Sequence, residues 1–85
     1  MIPAKDHDAA LMLRENPSLK FTINVLTTGY QITIKGKTET YLLHTHKNII
    51  RVFARGDSVF KWLQQIGATN IDVHMCPALE THSIC

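Results

Sequence analysis

"KFTINVLTTGYQITIKGKTETYLLHTH" occupies residues 20–46. Its apolar residues recur at every second position. Phe21, Ile23 and Val25 alternate with Thr22 and Asn24; Tyr30, Ile32 and Ile34 alternate with Gln31, Thr33 and Lys35. Successive side chains of a strand point to opposite faces, so this period means strands with one buried face. Thr27-Thr28-Gly29 supplies a hairpin turn, because glycine adopts positive φ without steric cost. Lys35-Gly36-Lys37-Thr38 supplies a second turn, and a third strand follows over 38–44 with Tyr41 and Leu43 on one face.

Outward from this meander, "THKN" at 45–48 reads as a turn and "IIRVFA" at 49–54 as a fourth strand. Gly56 breaks that strand, and Asp57 or Ser58 can cap a helix. Val59, Trp62, Leu63 and Ile66 then fall at i, i+3, i+4 and i+7, the spacing of an amphipathic helix with one buried side. Gly67 suits the left-handed residue that ends many helices. Ile71, Val73 and Met75 alternate with Asp72 and His74, giving a last strand. Upstream, "DHDAALMLREN" at 6–16 favours a short helix, stopped where Pro17 disfavours helical geometry in Asn16. The expected fold class is α+β. A small antiparallel β-sheet of four to five strands carries a short N-terminal helix and one amphipathic helix at about 57–66, in the order α-β-β-β-β-α-β. Residues 1–75 form a single domain, and "CPALETHSIC" at 76–85, which lacks periodicity, is expected to be a mobile C-terminal tail.

The chain has 85 residues, enough for one domain. A domain of this size buries only about 60% of its unfolded surface, which makes a large substrate pocket hard to build and favours a non-catalytic role. No signal peptide and no apolar run of membrane-spanning length is visible, and the two cysteines, Cys76 and Cys85, sit together at the end. The expectation is a cytoplasmic protein with reduced thiols and no membrane contact.

Net charge is only +2, but six of the nine basic residues fall between Lys35 and Lys61. Lys35, Lys37, Lys47, Arg51, Arg55 and Lys61 are interrupted by Glu39 and Asp57 alone. Such a segment can meet an acidic protein surface or a phosphate backbone, or can be an ordinary solvated surface. Gln31, Thr33 and Lys35 project from one face together with Thr22 and Asn24, and these side-chain types bond to phosphates and base edges. The same polarity is also what the solvent face of an antiparallel sheet carries.

His74, Cys76, His82 and Cys85 are the residue types of a zinc site, but their spacing, H-x-C-x5-H-x2-C, is not a familiar zinc pattern. No metal or cofactor is therefore expected. His44 and His46 share a strand face but lack a third ligand. No nucleophile with a base and an orienting acid stands out, so no catalytic residues are assigned.

One resemblance adds to this. Arg51 and Phe53, followed by Trp62, Leu63, Ile66 and Gly67 in "DSVFKWLQQIGATNIDV" and then by Ile71 and Asp72, resemble the ParC family of small partition-associated proteins of plasmids and integrative conjugative elements. "GYQITIKGKTETYLL" looks like that family's preceding strands, and the resemblance spans roughly residues 6–75. It implies an accessory role beside a partition ATPase and a DNA-binding partition protein, and no catalytic residues. Three functions are thus carried forward. The first is a partition-system accessory that binds partition proteins through Lys35, Lys37, Arg51, Arg55, Lys61, Gln31 and Thr33. The second is a small DNA-binding regulator using the same residues. The third is a metal protein or small enzyme using the His/Cys tail. An open-edged sheet of this size also invites pairing into a homodimer.

Overall fold

The structure, a computed structural model, describes residues 2–75. The chain runs β1 (Ile2–Lys5), a 3-10 turn (Asp6–Asp8), α1 (Ala9–Glu15), β2 (Lys20–Leu26), β3 (Gly29–Lys35), β4 (Thr40–His44), α2 (Gly56–Ile66) and β5 (Ile71–Met75). The five strands form one sheet in the order β1-β4-β3-β2-β5. β3 is antiparallel to both β2 and β4, while β1 lies parallel to β4 and β5 parallel to β2. The class is α+β, with a short early helix and one helix after the meander.

This topology explains where the core sits. β1-α1-β2 crosses over β4 and β3, and β4-α2-β5 crosses over β3 and β2. Both crossovers join parallel strands and travel the same way across the sheet. Crossovers of this kind are almost all right-handed, and two of the same hand running the same way leave both helices on one face. Ala9 of α1 and Val59 and Leu63 of α2 accordingly meet Phe21, Ile23, Ile32, Ile34 and Leu43 in one buried cluster. Trp62 closes it, with its ring edge-on to Phe21 at 6.4 Å and tilted against Phe53 at 6.0 Å.

The α2 termini follow local rules in part. Gly67 has φ 82°, its amide donates to Gln64 O at 3.2 Å, and the Ala68 amide donates to Leu63 O at 3.0 Å. This is the Schellman arrangement, which satisfies carbonyls that the helix itself leaves open. The N-terminus differs from the expectation. Neither Asp57 nor Ser58 caps it: Arg55 is the capping position, without a side-chain cap, and Asp57 lies in the first turn. There its charge complements the helix dipole while its carboxylate accepts from Arg55 Nε at 3.1 Å.

Two further details correct the sequence reading. First, Ile2–Lys5 forms a strand, in register with Tyr41–His44, so the sheet is mixed rather than wholly antiparallel. Nothing local marks these residues as a strand, and Pro3, which lacks an amide proton, is tolerated because β1 is an edge. Second, 49–54 is not a fourth strand. It makes isolated bridges only, Ile50 to His44 and Phe53 to Tyr30. The paired ladder between β3 and β4 covers only Thr33–Lys35 against Thr40–Leu42, and the 50–53 segment spans the gap beyond it. The Arg51 amide donates to Leu43 O at 2.9 Å on one side, and Phe53 and Tyr30 exchange two backbone bonds of 2.8 Å on the other. Only Phe53 of this strap turns into the core; Ile49, Ile50 and Val52 are exposed.

Candidate functional site

The helix-free face of the sheet carries the polar residues read from the alternation. Thr22 stands opposite Thr33, and Asn24 opposite Gln31. They are less available than their types suggest. Asn24 is 3% exposed, Gln31 8% and Thr33 9%. Asn24 Nδ2 donates to Thr33 Oγ1 at 2.7 Å, so part of this polarity is spent within the sheet. Gln31 Oε1 is buried without a hydrogen-bond partner among the described residues. At the margin, Lys20 Nζ pairs with Asp72 Oδ2 at 2.5 Å, tying β2 to β5.

The basic residues do not form one patch. Lys35 ends β3 and Lys37 lies in the turn after it, both exposed. Arg51 and Arg55 flank Phe53, which bridges to Tyr30 at the opposite end of β3. Five residue steps of about 3.3 Å separate Tyr30 from Lys35, so the Phe53 bridge stands roughly 16 Å along β3 from Lys35, and Arg51, bonded to Leu43, lies between. Lys61 is exposed on α2, in the helical layer. Arg51 also differs in kind from the others. Its guanidinium carbon lies 4.7 Å from the Phe53 ring centroid, and its Nε is buried with no partner among the described residues. A cation held over an aromatic ring contributes about 0.5–1 kcal/mol at such sites, so Arg51 anchors the strap as well as charging it.

The strap itself is the more distinctive surface. Ile49 is 62% exposed and Phe60, one turn into α2, is 56% exposed; Ile50 and Val52 are open too. Lys47, Arg55 and Lys61 are exposed within the same stretch. Single exposed apolar side chains are ordinary, but four within a dozen residues beside basic groups have the composition of a binding surface. Sequence reasoning passed over these residues because it read 49–54 as a fourth strand. Only the failure of 49–54 to pair as a strand exposes them.

The histidine and cysteine set remains incomplete in what is seen. His74 is on β5, whereas Cys76, His82 and Cys85 lie outside the described residues. Among the described residues no group of three or more His, Cys, Asp or Glu side chains is placed to hold a metal ion. His44 Nδ1 donates to the Leu42 carbonyl at 2.7 Å, and His46 sits beyond the end of β4.

Sequence reasoning also missed a cleft between the end of α1 and the β3–β4 turn. It is lined by Met12, Glu15, Leu19, Lys37, Glu39 and Tyr41, among others, and encloses about 250 Å³. That is smaller than the roughly 300–1,000 Å³ of ordinary small-molecule sites. Tyr41 Oη donates to Glu39 Oε2 at 2.5 Å. The hydrogen bond to the Glu39 carboxylate, with burial and the carboxylate charge behind it, raises the Tyr41 pKa above its ordinary value. The bond and the charge both favour the protonated phenol. In a spectrophotometric alkaline titration Tyr41 ionises later than a free tyrosine, and Glu39→Gln moves it back down. An unchanged titration in that variant contradicts the coupling.

No family model matches this chain, and no curated protein matches its sequence. None of the described helices is long and apolar enough to cross a membrane. Fold and surface together define a small α+β module with a mixed sheet and an apolar, basic-flanked strap.

Proposed function

We propose that this chain is a non-catalytic accessory module, acting in the cytoplasm, that binds a protein partner through the strap and the start of α2. The observation that carries this is the exposure of Ile49, Ile50, Val52 and Phe60 beside Lys47, Arg55 and Lys61. Apolar side chains with basic neighbours suit a partner surface that is apolar at its centre and acidic around it. The resemblance of Arg51, Phe53 and the α2–β5 segment to the ParC family supports a partition protein, either the ATPase or its DNA-binding partner, as that surface. In this reading Arg51 holds the strap in shape, Arg55 and Lys61 steer the encounter, and Lys35 and Lys37, at the far end of β3, contribute little.

The test is a pull-down and titration with partition proteins encoded beside this chain. Ile49→Asp and Phe60→Asp are expected to weaken binding by at least about tenfold, because a buried apolar anchor becomes an unpaired charge. Both positions are exposed, so thermal midpoints stay near wild type. Lys35→Ala leaves binding unchanged. The DNA-binding alternative predicts a different outcome: duplex binding that weakens steeply with salt, as released counterions require, and that responds to Lys35→Ala and Arg51→Ala. Duplex binding of that kind, with no effect of Ile49→Asp, defeats the protein-partner proposal.

A further inference from the structure

β5 closes one edge of the sheet, and its sequence, Ile71-Asp72-Val73-His74-Met75, has a symmetry that a lone strand does not need. Its backbone directions come first. The Phe21 amide donates to the Asn70 carbonyl at 2.9 Å, so the backbone groups of Asn70 face β2. Backbone groups alternate sides along a strand. Those of Asp72 and His74 therefore also face β2, while the N–H and C=O of Ile71, Val73 and Met75 point outward from the edge. Side-chain faces come second. In register with Phe21, Ile23 and Val25, the side chains of Ile71, Val73 and Met75 lie on the helix-bearing face, and those of Asp72 and His74 on the other. Yet Val73 is 55% exposed and Met75 69%, so α2 does not cover this end of β5.

We infer that β5 pairs antiparallel with β5 of a second copy, about a two-fold axis through Val73. Three independent features meet in that register. Val73 opposes Val73 of the partner subunit, and Ile71 opposes the partner's Met75, using the outward backbone groups as reciprocal hydrogen-bonded pairs. Asp72, whose Oδ2 is paired with Lys20 of its own strand neighbour, then opposes the partner's His74 with its second carboxylate oxygen, in the non-hydrogen-bonded position where antiparallel side chains come closest. An acidic residue thus meets a basic-type one twice, once on each side of the axis, and cross-strand pairs of this kind stabilise an antiparallel ladder. The exposed Val73 and Met75 are brought against their counterparts on the helix-bearing face, where they continue the apolar layer. A shift by one residue destroys the match: the outward backbone groups lose their partners and Asp72 no longer opposes His74. Self-complementarity about a two-fold axis is what an isologous dimer requires. An edge strand this exposed needs some protection from promiscuous pairing, and pairing with its own copy supplies it. One strand edge is a small interface, so the dimer is weak and its population depends on concentration.

Sedimentation equilibrium of the full chain tests this. The mass is expected to rise from the 9.6 kDa of one chain toward twice that value as concentration increases. His74→Asp sets two carboxylates against each other across the axis and weakens the dimer by at least about tenfold, whereas His74→Lys keeps a cation opposite Asp72, leaves the Lys20–Asp72 pair intact and keeps the affinity. In a Cys76→Ser, Cys85→Ser background, Val73→Cys is expected to form a covalent dimer on oxidation. Hydrogen-bonded antiparallel partners have Cα atoms about 5.5 Å apart, within disulfide reach. Gln65→Cys on exposed α2 does not form one. Thermal melts of each variant confirm that the fold persists. A mass that stays at one chain throughout overturns the proposal. So does a dimer that His74→Asp leaves unaffected, since its contact then lies elsewhere.

Discussion

Phe21→Ala is expected to lower the free energy of unfolding by about 3–5 kcal/mol, which for a domain of this size is most of its stability. Phe21 is fully buried in β2, the strand that pairs with both β3 and β5. Its ring also receives Trp62 edge-on, so truncation removes the contact that seats α2 as well as the apolar area. The surrounding strands are hydrogen-bonded on both sides and cannot collapse into the space, which keeps the cavity cost high. Leu63→Ala, at a residue of α2 buried in the same cluster, costs about 2–5 kcal/mol. Phe60→Ala, one residue outside the buried stripe, stays within about 0.5 kcal/mol, as exposed substitutions do. Urea titrations of the three variants check this. A Phe21→Ala protein with a midpoint near that of Phe60→Ala contradicts the placement of the core.

Gly29→Ala is expected to be nearly as damaging, by a different route. Gly29 has φ 151°, a conformation in which a side chain is strained. A Cβ there meets the Phe53 carbonyl oxygen at 2.7 Å and Val52 Cγ1 at 2.8 Å. Relieving that clash pushes the strap away from β3 and stretches the two bonds between Tyr30 and Phe53. Backbone strain and two weakened hydrogen bonds together cost about 2–4 kcal/mol. Because the strap carries Ile49, Ile50 and Val52, partner binding falls by more than the unfolded fraction explains when measured at a temperature where the variant is still folded. Gly67→Ala is the comparison. Gly67 is also at positive φ, 82°, but has nothing within 4 Å of an added Cβ, so only the intrinsic penalty of about 1–2 kcal/mol applies. Equal stabilities for the two variants remove the close approach at Gly29 as a structural constraint.

The contrast between those two glycines shows how far the sequence could be read. Gly67 follows the last residue of a 3.6-period stripe, and a local rule names its role. Gly29 was legible as a turn residue, but its second task, admitting the Phe53 backbone, depends on a segment more than twenty positions away. The same division runs through the candidate site. That Thr22, Asn24, Gln31 and Thr33 share a face follows from alternation. That Asn24, Gln31 and Thr33 are buried, with Asn24 bonded to Thr33, does not, since it depends on cross-strand neighbours. Lys35, Arg51 and Lys61 are close in charge pattern, yet Lys35 ends β3, Arg51 lies in the strap and Lys61 lies on α2. Arg51 has the composition of a surface charge, and only the strap's position lays it over Phe53.

By itself the sequence determined the strands of the meander, both helices, the faces of each that are apolar, and the helix stop at Gly67. These are local consequences of period, capping and glycine freedom, decided within a few residues. The tertiary structure decided the rest. It put β1 on one edge beside β4 and β5 on the other beside β2, because parallel pairing joins residues that no local signal connects. It turned 49–54 from an expected fourth strand into a strap with Ile49, Ile50 and Val52 exposed, because the segment bridges β4 and β3 beyond the end of their paired ladder. The surfaces on which both proposals rest, the strap and the β5 edge, exist because chain topology left those backbone and apolar groups outside the one core that an 85-residue chain can bury.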